Sequence, residues 1–94
     1  MGKTEFPERW GDEIMPRVAA ALRNPSLVRP EPDGRLNFYA VIDDVLVYAR
    51  IGPRFNGHWR FMTSFPLSGR GVVRNTPDGP IDVPLDIDLM EGYP

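Results

Sequence analysis

Hydrophobic positions near the start of the chain recur at helical spacing, with Ile14, Val18, Ala21 and Leu22 falling on one face of a 3.6-residue repeat. The predicted helix is announced by Gly11-Asp12-Glu13, where Asp12 is the expected N-cap and Glu13 complements the positive helix end. Pro16 is tolerable in a first turn, and Asn24-Pro25 is the expected stop. Phe6 and Trp10 are placed to fold over the helix start as a hydrophobic staple. Beyond the helix the period shortens to two. Residues 25–34 read as a proline-rich connector closed by the turn Asp33-Gly34. Residues 35–42 alternate imperfectly, Asp43-Asp44 offers a turn, and residues 45–51 are β-branched and aromatic, which together predict a hairpin. After a loop at 52–57, residues 58–65 resume strand character, and Pro66 removes a ladder donor. Val72-Val73 is a candidate short edge strand, residues 75–80 are turn material, and residues 81–94 are acidic and weakly patterned. The predicted class is α+β: an N-terminal helix packed on an antiparallel β-meander of three to four strands, with an irregular acidic C-terminal tail.

Alternation along the strands assigns faces. Trp59, Phe61, Thr63 and Phe65 share one side of the third predicted strand, and His58, Arg60, Met62 and Ser64 the other. The second strand divides into Leu46, Tyr48 and Arg50 against Val45, Val47, Ala49 and Ile51. With the apolar sets packed on the helix, Tyr48, Arg50, His58 and Arg60 are expected to share the opposite, open face. Thr63 points away from that face unless a bulge re-aims it.

Composition sharpens this picture at three points. With 94 residues there is room for one core, read as a folded domain over 1–77 followed by an acidic, proline-rich tail over 78–94. The absence of cysteine excludes a disulfide framework, a thiolate metal site and a cysteine nucleophile. The net charge of −2 hides an asymmetry: all 11 basic residues precede Thr76, and ten of them are arginine, the side chain best suited to forked phosphate contacts. From Asp78 onward there are five acids and no base. No segment reads as a signal peptide or a membrane span, so export is expected to depend on another segment. A metal site is not expected, because His58 stands alone and the acids Asp82, Asp86 and Asp88 lack the glycine and spacing of a calcium loop.

The order of features carries a further signal. Gly2-Lys3-Thr4-Glu5-Phe6-Pro7-Glu8-Arg9-Trp10 opens the chain, followed by Asp12-Glu13-Ile14, Asn24-Pro25-Ser26 and Asp33-Gly34-Arg35, and Phe61-Met62-Thr63-Ser64-Phe65-Pro66 closes the series. Over residues 2–66 this arrangement resembles the bacterial EndoU-like toxin domains. These belong to the wider barnase, EndoU, colicin and RelE-like ribonuclease group, and are often the C-terminal warheads of contact-dependent inhibition and other polymorphic toxin systems. In them a Phe-Pro-x-x-Trp opening precedes a helix, and a Thr-Ala-Tyr-Pro-like motif ends a sheet strand.

The resemblance implies cofactor-free, metal-independent cleavage of RNA, by attack of a ribose 2′-OH on the adjacent phosphate to leave a 2′,3′-cyclic phosphate. Such chemistry needs a base for the 2′ proton, a cation beside the phosphate oxygens and an acid for the leaving 5′ oxygen. By the same resemblance Lys3 and Thr4 occupy the opening motif where the family places active-site groups, and the Thr63 hydroxyl contacts the phosphate. The family characteristically uses two histidines with a lysine. This chain has only His58, on the approach to the closing motif, so the catalytic set expected of it is Lys3, Thr4, Tyr48, Arg50, His58 and Thr63. Arg35, Tyr39, Arg60 and Ser64 extend it as an RNA-binding surface. The plainer readings stand beside these: His58 as a strand-edge residue, Arg50 and Arg60 as solubilising charges, and Tyr39 as core. The implied partners are RNA, tRNA foremost, and a cognate immunity protein, with neither membrane nor DNA among them. The implied setting is a domain delivered as part of a larger secreted protein into the cytoplasm of a target cell. The alternatives are an inactive protein-binding module of the same fold and a RelE-type ribosome-dependent nuclease.

Overall fold

A computed structural model describes residues 3–54 and 56–92; Gly2 of the opening motif, Phe55 of the loop and the last two residues of the tail lie outside that range. The elements in chain order are β1 (Thr4–Glu5), a 3-10 segment (Glu8–Glu13), α1 (Ile14–Arg23), β2 (Leu27–Pro30), β3 (Leu36–Ile42), β4 (Val45–Ile51), β5 (Phe61–Gly69), β6 (Val73–Thr76), β7 (Gly79–Asp82) and the single turn α2 (Leu89–Gly92). The class is the expected α+β. One helix packs on a four-stranded antiparallel meander, β2-β3-β4-β5, and a small second sheet runs β1-β6-β7. Among the described residues no helix is long and apolar enough to cross a membrane.

The helix ends where expected, with the Asn24 amide donating to the Ala20 carbonyl at 3.0 Å. Its start differs. Gly11, at a φ of +51°, kinks the 3-10 segment, so Asp12 lies inside that segment and Glu13 becomes the cap position without a side-chain cap. Glu13 instead pairs with Arg17 one turn on, at 2.9 Å. Phe6 stacks on Trp10 with ring centroids 5.4 Å apart, as the staple predicts. Trp10, Val18 and Ala21 then bury themselves against Ala40, Val45, Val47 and Ala49. Each fully buried valine of this layer contributes about 1.5–3 kcal/mol.

The strands depart from their expected limits at each proline. Residues 27–30, read as connector, pair with β3 from Leu27↔Tyr39 to Pro30↔Leu36. As β2 is an edge strand, the missing Pro30 amide can face away from the ladder. Pro66 does not end β5, which runs from Phe61 to Gly69. It lies on the other edge of the sheet beside an irregularity at Leu46/Val47, where the absence of a donor is tolerated. The Pro66 carbonyl accepts a 2.6 Å hydrogen bond from the Thr4 hydroxyl, so the opening and closing motifs meet across 62 positions of chain. His58 and Arg60 precede the strand and belong to the β4–β5 connection. Val73 opens the middle strand of the second sheet, where a short edge strand was expected. Within the acidic segment, 79–82 pairs with β6 and 89–92 forms a helical turn, leaving 83–88 irregular.

One cluster joins these parts. Asp43 and Asp44 turn the β3–β4 hairpin with φ of +48° and +62°, a conformation that favours glycine. The Asp43 carboxylate accepts the Trp10 indole N–H at 2.9 Å and Arg9 Nε at 3.2 Å, and its carbonyl accepts from Arg9 Nη2 at 2.8 Å. Arg17 and Arg70 approach at 3.8 and 3.9 Å. Arg9 also donates to the Arg70 carbonyl. The Trp10 hydrogen bond, followed by Arg9 and Arg17, holds the Asp43 carboxyl below the ordinary carboxylate range. Gly69 faces the same turn, where a Cβ would come within 2.5 Å of the Asp44 oxygen and of the Val45 Cα.

The two turn aspartates therefore respond differently to glycine. Asp44→Gly relieves a positive φ and removes only an exposed 3.5 Å ion pair to Arg70, so its melting temperature equals or exceeds that of the parent chain. Asp43→Gly relieves the same strain but removes the acceptor for Trp10 and Arg9, and melts lower. Because the folded carboxyl titrates below its unfolded value, the Asp43 contribution is complete above about pH 4 and is lost as pH falls through the folded pKa. Thermal melts across that range show the parent and Asp43→Gly curves converging towards acid. A constant gap would refute the assignment.

Candidate functional site

The register of the four-stranded sheet decides which candidate residues meet. On the face away from α1, one row runs Arg29, Asn37, Arg50, Thr63, and the next runs Leu27, Tyr39, Tyr48, Phe65. Residues opposite one another on neighbouring strands share a face, with Cβ atoms about 4.5–5.5 Å apart. Thr63 therefore stands beside Arg50. The pairing runs unbroken from Tyr48↔Phe65 to Arg50↔Thr63, so Thr63 and Phe65 lie on the face where they were not expected; beyond them the register shifts, Ile51 faces Phe61, and Met62 is the extra, bulged residue. The same shift undoes the grouping of Trp59, Phe61, Thr63 and Phe65 on one side. Ser64 pairs with Ala49 on the helix side, where its hydroxyl donates to the Tyr48 carbonyl at 2.8 Å.

The face is not open along its length. Tyr39 and Tyr48 are buried with Leu46 and Leu67, and Leu89 and Met90 of the acidic segment pack over them. This corrects the expectation that both tyrosines are accessible to a ligand. Ser68 ties that segment down, donating to the Asp86 carbonyl at 3.3 Å and accepting from the Asp86 amide at 2.9 Å. Arg29 donates to the Glu91 carbonyl at 2.8 Å. Tyr48 was expected on this face because the second predicted strand alternates as read, and its cross-strand partner Tyr39 completes the pair. Its covering by residues more than forty positions away has no local signal.

The polar row is exposed at Thr63 and partly exposed at Arg29 and Arg50. Asn37, almost fully buried, accepts at Oδ1 from the Tyr48 hydroxyl at 2.6 Å and from Arg50 Nε at 2.9 Å. Its Nδ2 donates to Glu31 Oε1 at 3.2 Å and to the Arg29 carbonyl at 3.3 Å. Arg50 Nη2 also reaches Glu31, at 3.2 Å. Arg35 is engaged by Asp33 at 2.5 Å and Glu31 at 3.4 Å. The Asp33 hydrogen bond raises the Arg35 pKa, and the same bond lowers that of Asp33. Arg35 is thus a paired charge, and its expected role in gripping RNA has a carboxylate competitor. Thr63, paired with Arg50 across the strands, is exposed.

The remaining candidates lie elsewhere. Lys3 is exposed, with its carbonyl accepting from the Asn75 amide at 3.0 Å. The Thr4 hydroxyl is committed as donor to Pro66 and faces a cleft with Phe6, Ile14, Ser64 and Phe65. His58 and Arg60 are exposed in the β4–β5 connection. That connection also carries Arg54 and the exposed side chain of Trp59, and the start of β5 carries the exposed side chains of Phe61 and Met62; none of these was singled out as functional. The signal was legible: residues 52–62 hold bases and aromatics and no acid. A second cleft, between the 3-10 segment and the second sheet, is lined by Glu5, Glu8 and Asp82 with Arg9. Its charge repels phosphate. Among the described residues no three His, Asp or Glu side chains gather as a metal site.

The chain matches no family model, no curated protein and no solved structure. Its site is therefore read from its own chemistry, in which a guanidinium and a hydroxyl on adjacent strands form a donor pair suited to an anionic oxygen.

Asn37 is the support of that guanidinium. Asn37→Ala leaves the Tyr48 hydroxyl and Arg50 Nε without their shared acceptor, at a cost of about 1–3 kcal/mol. Urea unfolding of the parent and variant, compared at equal m-value, measures this cost; an unchanged midpoint would show that neither donor depends on Asn37.

Proposed function

We propose that this chain is a metal-independent endoribonuclease domain whose reacting phosphate sits at the Arg50–Thr63 pair. The observation that carries this reading is the pairing of Arg50 with Thr63 across β4 and β5, which puts the two residues side by side on one face of the sheet. Both groups donate to phosphate oxygens and stabilise the charge that builds there. The hydrogen bond between Thr4 and Pro66 supports it further, because it joins the two motifs on which the resemblance to EndoU-like toxins rests. In the reaction the 2′ oxygen gives its proton to a base and forms a bond to phosphorus. The bond from phosphorus to the 5′ oxygen breaks, and that oxygen takes a proton. His58, the chain's single histidine, is the proton-transfer group of this scheme, with Lys3 as a second cation. The reading extends to structured RNA, tRNA foremost, as substrate. It also extends to delivery within a larger protein to a target cell, and to neutralisation by an immunity protein.

A second reading, a non-catalytic binding module, is favoured by one specific feature. Arg50 is already held by Glu31 and Asn37, which reduces the charge it can offer a phosphate. The two readings separate in one assay. Purified protein is incubated with total bacterial RNA in EDTA, and the ends are analysed for cyclic phosphate. Discrete cleavage with 2′,3′-cyclic ends is the expected result, and RNA left intact, also with ribosomes present, refutes it in favour of the binding module. His58→Ala and Thr63→Ala each lower the rate, His58→Ala by roughly 10²–10⁴-fold. Both side chains are exposed, so the melting temperature is unchanged. Full activity in both variants would remove the site.

A further inference from the structure

The 11 basic residues divide by what they touch. Arg9, Arg17, Arg35, Arg50 and Arg70 all have a carboxylate within ion-pair distance. Among the described residues Lys3, Arg23, Arg29, Arg54, Arg60 and Arg74 have none; of these, Arg54 and Arg60 stand together with His58, which also has none, and all three are exposed on the β4–β5 connection. Between them and just after them stand three large apolar side chains with much of their surface in water: Trp59 at 48%, Phe61 at 45% and Met62 at 42% exposure. Exposed aromatics at this density have a hydrophobic cost in a monomer unless something stacks on them. Uncompensated positive charge beside them selects a partner with anionic groups and flat apolar faces at short, regular spacing. Nucleobases on a phosphate backbone meet that description. The connection leads directly into β5 at Phe61, two residues before Thr63.

We infer that the β4–β5 connection, with the first residue of β5, is the binding platform for a single-stranded RNA segment, with Trp59 and Phe61 stacking on unpaired bases while Arg54 and Arg60 bind the flanking phosphates. Its relation to the reacting phosphate rests on the ribonuclease reading; the binding itself does not. A duplex hides its base faces, so single strands are preferred over double-stranded RNA of the same sequence. An acidic protein offers the charge without the base faces.

The chain contains two tryptophans, of which Trp10 is buried and Trp59 exposed, so emission from Trp59 reports stacking against a constant background. The probe is a short single-stranded 2′-O-methyl oligoribonucleotide, which has no free 2′-OH and cannot be cleaved. Titration into the intact protein quenches Trp59 emission. Trp59→Ala and Phe61→Ala each weaken binding, followed by anisotropy of a labelled probe, by roughly 5- to 100-fold. Arg54→Ala with Arg60→Ala flattens the dependence of log affinity on log salt by about 0.7 for each phosphate that is no longer neutralised. Trp59→Phe keeps a stacking ring and retains most of the affinity while abolishing the quench. Binding without cleavage of natural RNA supports the platform and refutes only the ribonuclease reading. The platform is overturned by affinity that survives both ring-to-alanine variants. Equal displacement of the probe by polyglutamate at matched charge, or equal affinity for duplex RNA, overturns it as well.

Discussion

The fold hangs on a single carboxylate. Asp43 sits at a two-residue turn whose backbone favours glycine, and it is held there by the Trp10 indole and the Arg9 fork. Those two residues belong to the opening segment, so the clasp fixes the approach of that segment to the β3–β4 hairpin. Once Trp10 is docked, α1 is laid across Ala40, Val47 and Ala49, and Thr4 is carried to Pro66 on the far edge of the sheet. Arginine suits this work better than lysine. Its planar fork lets Arg9 engage the Asp43 carboxylate, the Asp43 carbonyl and the Arg70 carbonyl together.

The clasp also apportions charge. The arginines nearest to it are neutralised where they stand, as are Arg35 and Arg50 around Glu31 and Asp33. The acidic segment takes up much of the face opposite α1, placing Leu89 and Met90 over the tyrosine row. Two of the arginines that have no carboxylate partner among the described residues, Arg54 and Arg60, stand at the β4–β5 connection, beside exposed rings and next to the start of β5. The surface for an anionic ligand is thus defined as much by which charges are engaged elsewhere as by which are present.

Much of this was legible from short-range pattern. The helix, its stop at Asn24, the Phe6–Trp10 staple, the Asp43-Asp44 turn and the division of 45–51 into two faces follow from periodicity and turn chemistry, which act over a few residues. The strands at 27–30 and 79–82, and the passage of β5 through Pro66, were not legible. Whether a proline interrupts a ladder depends on whether its strand lies at an edge, and that is set by neighbours distant in sequence. Of the candidate site, Arg50 and Thr63 were placed from the sequence on different faces, whereas Thr63 follows Phe65 in unbroken register onto the face of Tyr48 and Arg50, a pairing that apolar pattern along one strand does not specify.

The accessibility of the tyrosines and the pairing of the arginines mark the same boundary. Tyr39 and Tyr48 show the alternation of a half-exposed face, yet a segment starting beyond Asp82 covers them. Arg35 and Arg54 look alike in the sequence, but only Arg35 has Asp33 within reach. Side-chain periodicity follows from backbone geometry and so is written locally. Burial, charge compensation and strand register are sums over interactions between distant residues, and they exist only once the chain has closed on itself.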